Sequence, residues 1–132
     1  MRLLVMLTLT FVATGVAQED LMSTAEMNNG RVWNVATARD KLLYVAGIHD
    51  AIIWKAISSP EKVTKDSVSW AEGFVVNDYI SELDAFYKDT ANIRIPLPVA
   101  VDYCTRRLRG QVKKDDLEAE VIRLRKLTSD WK

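Results

Sequence analysis

One cysteine and one histidine are all that the 132 residues hold of the two side chains most used for cross-links and metal sites. With Cys104 alone, no disulfide forms within the chain, so the fold rests on its apolar core. With His49 alone, a zinc site of three or four ligands would have to draw the rest from Asp, Glu or Cys. Five glycines and three prolines build no Gly-rich phosphate loop, and no nucleophile elbow, His-Glu-x-x-His or paired-cysteine motif is present. An excess of charge is missing too, with 18 basic and 18 acidic residues. That argues against general nucleic-acid binding, which rests on a basic surplus. No cofactor is indicated.

Long apolar runs are absent except at the start. Arg2 precedes an apolar run from Leu3 to Val12 broken only by Thr8 and Thr10, and Ala13-Thr14-Gly15-Val16-Ala17 follows. Small residues at −3 (Gly15) and −1 (Ala17), then Gln18-Glu19-Asp20, make this a secretory signal pattern with a cut after Ala17. The run falls short of the ~20 apolar residues of a membrane-spanning helix. The expectation is a signal peptide over residues 1–17 and one domain over 18–132. The protein is then exported, periplasmic or secreted, with no stable membrane insertion after cleavage. A mature chain of this size suits a single core.

What is there is helical patterning. Thr37 and Asp40 resemble a capping box opening a helix over residues 37–57. Leu42, Val45, His49, Ile52 and Ala56 form one stripe, and Leu43, Ala46, Ile53 and Ile57 widen it. A helix apolar around most of its girth is expected at the centre of its domain. Pro60 ends it, because the residue before proline is pushed out of the α region. A second helix is predicted from Asp66 or Ser67 to about Lys88, with Val68, Ala71, Val75, Tyr79, Glu82 and Phe86 in line. A third is predicted over 99–109, with Pro98 in its first turn, Val101, Cys104 and Leu108 inward and Gly110 just past its end. A fourth starts at Asp115, paired with Glu118, and carries Leu117, Val121, Leu124, Thr128 and Trp131 on one stripe. Residues 18–29 are expected to add one helical turn or two, and no segment alternates as a strand does. The fold class is all-α: a small single-domain bundle of about four helices.

The segments Asn29-Gly30-Arg31-Val32-Trp33-Asn34 and Lys41-Leu42-Leu43-Tyr44-Val45-Ala46-Gly47-Ile48-His49-Asp50 resemble the first half of a group of small exported bacterial helical proteins. Leu83-Asp84-Ala85-Phe86-Tyr87-Lys88-Asp89, Asn92 and Ile95-Pro96-Leu97-Pro98 resemble its second half. That group is uncharacterised, so the resemblance implies an exported helical domain and no activity. Tyr44-Val45-Ala46-Gly47 with Asp50 is also similar, more remotely, to the Rap1a/Tai immunity proteins, small periplasmic inhibitors of cell-wall amidase toxins. Those usually carry cysteines around this helix, and this chain has none there.

The candidate binding residues are Trp33, Tyr44, Gly47, His49 and Asp50. His49 and Asp50 are the sharpest chemical feature, yet helical neighbours point about a hundred degrees apart and make no dyad. A packed or hydrogen-bonded His49 is expected ahead of a catalytic or metal-binding one. Tyr44, Gly47 and Asp50 share a broad face at i, i+3 and i+6. An interior glycine costs ~1 kcal/mol relative to alanine. A close approach is therefore expected at Gly47, by a neighbouring helix or the Trp33 ring, or else by a partner with Asp50 as its polar contact. Glu72, Asp78, Glu82 and Asp84 read as a solvated acidic face, and Arg106, Arg107, Arg109, Lys113 and Lys114 as cations suited to a helix end. Cys104 reads as a small buried hydrophobe. The expected function is an exported module that binds a protein partner, in the manner of an immunity-type inhibitor. The alternatives are a hydrolase-like or metal-dependent activity near His49, or a structural envelope component.

Overall fold

The structure, a computed structural model, describes residues 22–58 and 73–131. For Ala56 and Lys114 only the backbone is described. The expected signal peptide and the first part of the expected second helix lie outside these residues. Five helices make up most of the described chain: α1 (Gly30–Val35), α2 (Ala38–Ser58), α3 (Val76–Lys88), α4 (Leu97–Leu108) and α5 (Leu117–Ser129). Short 3-10 turns at Thr90–Asn92 and Lys114–Asp116 precede α4 and α5.

Of the segment 18–29 expected to add one helical turn or two, residues 18–21 lie outside the described residues and Met22 is helical, but Ser23 to Asn28 form a hairpin, β1 (Ser23–Thr24) paired antiparallel with β2 (Met27–Asn28). Ala25 and Glu26 form its two-residue turn, both at positive φ (50° and 62°). That turn type normally takes Asn-Gly or Asp-Gly, and neither is here to signal it. Tertiary pairing holds it. Asn29 continues the strand into an isolated bridge with Pro96, and its buried side chain donates to Thr24 Oγ1 at 3.1 Å. Asn29 Oδ1 accepts from Arg31 N at 2.9 Å, which caps α1.

The Thr37–Asp40 pair opens α2 as expected, with Thr37 N donating to Asp40 Oδ2 and Asp40 N to Thr37 Oγ1, both at 3.2 Å. The α2 helix is not the centre of the domain, however. Among the described side chains of α2 only Val45 is fully buried, with Tyr44 and Ile48 packed beside it, while Leu42, Leu43 and Ile57 are exposed. The central helix is α3, against which α1, α2 and α4 all pack. Length explains the difference. At 1.5 Å per residue, 21 residues of α2 run about 30 Å and 13 of α3 about 20 Å, so one cannot be covered by the other. The expected continuous helix from Asp66 or Ser67 to Lys88 is also corrected. Gly73 has φ +85°, and Val75 is extended at the N-cap of α3, where Asp78 reaches back to accept from Val75 N at 2.7 Å.

Buried Tyr79, Leu83, Phe86 and Tyr87 of α3 meet Leu97, Ala100, Val101, Tyr103 and Cys104 of α4, with Trp33, Val45, Ile95 and Leu124 closing the core. The fourth predicted helix appears as α5 with Leu124 and Thr128 buried, but Asp116 rather than Asp115 precedes it and no side chain caps it. Helix α4 ends as predicted. Gly110 has φ +66°, its N–H donates to Arg107 O at 3.0 Å, and Gln111 N donates to Arg106 O at 2.8 Å.

Candidate functional site

Two sets of residues that are far apart in sequence meet around α1. The Trp33 indole, 1% exposed, donates from Nε1 to Asp84 Oδ1 at 2.8 Å. Lys41 Nζ reaches the same oxygen at 2.7 Å and stands 5.0 Å from the centroid of the Trp33 ring. Gly30 lies against Tyr87, whose hydroxyl donates to Ile95 O at 2.8 Å. Asn92 donates to Phe86 O at 2.7 Å and accepts from Arg125 Nε at 2.8 Å. Most of the residues quoted for the first resemblance therefore form one interlocked structural unit. Trp33 belongs to the core, not to a binding surface.

The remaining candidates lie on or beside the outward side of α2. Leu43, Gly47, Asp50, Trp54 and Ile57 follow one another at spacings of four, three, four and three, and all five are exposed. This is a seam of the kind a second helix or a protein surface packs on. Trp54 is 70% exposed and Ile57 68%. The expected close approach at Gly47 by a neighbouring helix or the Trp33 ring is not made: among the described residues a β-carbon there would meet nothing within 4 Å. A glycine is thus left open in the middle of an apolar row, with Asp50 one turn on. Tyr44 sits half-buried at the edge of the row, and burial pushes its phenol pKa up. His49 is half-buried, with Nδ1 3.7 Å from Asp50 Oδ1.

No family model, curated protein or solved structure matches this chain.

Of the acidic face expected on the second helix, Asp84 is exposed and Asp78 and Glu82 are half-buried, and all three have partners. Glu72 lies outside the described residues, Asp78 caps α3, and Asp84 holds Trp33 and Lys41. Glu82 faces Arg107 Nη1 at 3.0 Å across the α3–α4 junction. In the basic cluster, Arg106 and Arg107 stand in the last turn of α4 as expected, and both are paired. Arg106 bridges Asp102 on its own helix (2.9 Å) and Glu120 on α5 (2.8 Å). Glu120 also accepts from Arg123, and these hydrogen bonds, Arg123's first and Arg106's next, bring its carboxyl down to about 2. Cys104 is fully buried, as expected, and desolvation pushes its thiol up to about 12. Among the described residues, no three His, Cys, Asp or Glu side chains gather as a metal site. None of the described helices is long and apolar enough to cross a membrane.

Trp54 and Ile57 were missed as surface residues. The signal for them lay in the spacing of positions 43, 47, 50, 54 and 57, which forms a second row opposite the one through Val45. Period alone does not say which of two apolar rows a fold covers.

Proposed function

We propose that this protein is an exported helical interaction module that holds a protein partner on the outward seam of α2. The observation that carries this reading is Trp54, 70% exposed and in line with Leu43, Gly47, Asp50 and Ile57. Single exposed apolar residues are ordinary on a protein surface, but a row of them is the mark of a contact face. Tryptophan is among the residue types that most often dominate binding energy. The open Gly47 leaves a notch for a partner side chain. Asp50 places one negative charge inside the apolar row, so the partner face is apolar with a Lys or Arg set opposite Asp50. The immunity-type resemblance supports the same reading, since Tyr44, Gly47 and Asp50 carry it and lie on or beside this row. An inhibitor that occupies another exported protein is the form of partnership it implies.

The test is a pull-down from periplasmic extract with residues 18–132 as bait, followed by binding measurements on whatever is recovered in stoichiometric amount. Trp54→Ala and Asp50→Ala should each weaken that binding at least tenfold, and Ile122→Ala, exposed on α5, should not. Equal effects from all three, or no stoichiometric partner, overturn the reading. Light scattering on the isolated chain separates a foreign partner from a second copy, because a dimer broken by Trp54→Ala would assign the seam to self-association.

A further inference from the structure

A cleft of about 380 Å³ opens between α3, α4 and α5, sharing no residue with the seam on α2. Phe86 and Tyr103 line it as buried aromatics, 5.2 Å apart between ring centroids, and Leu117 and Val121 add aliphatic surface from α5. Its size falls at the low end of the range for small-molecule sites.

Tyr103 is the feature that packing does not explain. The residue is 3% exposed, yet among the described residues its hydroxyl has no hydrogen-bond partner. That hydroxyl is not sealed from solvent, and the residue lines the cleft. A hydroxyl that solvent reaches at a cleft is a donor that a ligand bound there can take over from water. Charges of both signs surround it. Arg107 and Arg125 line the cleft together with Asp89 and Glu118. Arg125 is held by Asn92 and Asp89, and Arg107 stands against Glu82, whose buried Oε2 has no hydrogen bond despite lying 3.0 Å away. Glu118 is exposed. Counting Glu82, the acids outnumber the arginines by one, which disfavours a plain anion, while a carboxylate can still take the Tyr103 and Arg107 donors if the same ligand brings a cation to Glu118.

We propose that this cleft binds a small apolar α-amino acid. Its carboxylate accepts from the Tyr103 hydroxyl beside Arg107, its ammonium faces Glu118, and its side chain lies on Phe86, Leu117 and Val121. Each requirement matches one wall, and a ligand lacking either charge leaves one polar wall unpaired.

The experiment is an amide-resolved NMR titration of the exported chain with L-phenylalanine, 3-phenylpropionate and phenethylamine. L-phenylalanine should give saturable shifts around Phe86, Tyr103 and Val121, and each of the other two should bind about tenfold more weakly, in line with the loss of one charged hydrogen bond. Tyr103→Phe keeps the ring and should weaken L-phenylalanine about tenfold. Glu118→Gln, at an exposed position, should weaken it while leaving 3-phenylpropionate unchanged. Absence of saturable shifts, equal binding of the three probes, or an unaltered Tyr103→Phe titration overturns the proposal. Failure here leaves the α2 seam untouched, because the two sites have no residue in common.

Discussion

The ring of Tyr87 occupies the space that any side chain at position 30 would need. A β-carbon built on Gly30 meets Tyr87 Cδ1 at 2.3 Å and Cε1 at 2.6 Å. The ring cannot swing aside, because its hydroxyl is held by Ile95 O and the residue is 1% exposed. Helix α1 therefore sits against α3 at the distance that glycine permits. This is what lets Trp33, one turn further on, reach Asp84.

Gly30 and Gly47 should respond in opposite directions to the same substitution. Gly30→Ala forces the ring or α1 to move and should destabilise by about 1–3 kcal/mol, the usual range for overpacking. Gly47→Ala meets nothing and replaces an interior helical glycine, so it should stabilise by up to about 1 kcal/mol. Urea unfolding of both variants measures the pair. A gain from Gly30→Ala, or a loss from Gly47→Ala, contradicts the packing described.

Asp84→Ala should cost about 2 kcal/mol, because it strands the buried Trp33 N–H and the Lys41 ammonium together. Lys41→Ala should cost less, since Asp84 keeps its indole donor and stays half-exposed. Chemical denaturation followed by tryptophan fluorescence gives both values. Equal losses would show that the indole bond contributes nothing of its own.

Acid should weaken the α4–α5 junction through Glu120. Its carboxyl is held at about 2 in the folded protein against an ordinary value of 4.5. The stabilisation is complete above the unfolded value and is lost as pH falls from about 4.5 towards 2. With exposed Arg123 on one side, the contribution should be about 1 kcal/mol, not the full value of the shift. Stability curves of the parent and Glu120→Gln should differ at pH 7 and converge near pH 2. Parallel curves would remove Glu120 from the account.

Cys104 should be inert in the folded protein. Buried, with its thiol pushed up to about 12, it offers almost no thiolate at pH 8. Labelling with a maleimide should follow unfolding, speeding up with urea as the folded fraction falls. Labelling within seconds in native buffer would show that the α4 face carrying Cys104 is open.

Sequence alone determined the helical class, the Thr37–Asp40 start of α2, the Gly110 end of α4, the inward rows of α4 and α5, and the burial of Cys104. These follow from local periodicity, capping chemistry and the positive φ of a C-terminal glycine, which act over a few residues. Tertiary structure alone decided which helix is central. Val45 and Trp54 both lie on apolar rows of α2, yet α3 covers the first and, among the described residues, leaves the second exposed. It also decided the roles of the charges: Asp84 and Glu82 read alike as acids of a solvated face, and each acquired its partner only when a distant lysine, indole or arginine was brought beside it. The hairpin at Ala25 and Glu26 belongs to the same class, since its turn carries no local signal and is held by the Asn29–Pro96 bridge across 67 residues of chain. Periodicity shows that a side chain prefers to be covered, but the covering surface comes from elsewhere in the chain, and that is the reason the candidate sites emerged only with the fold.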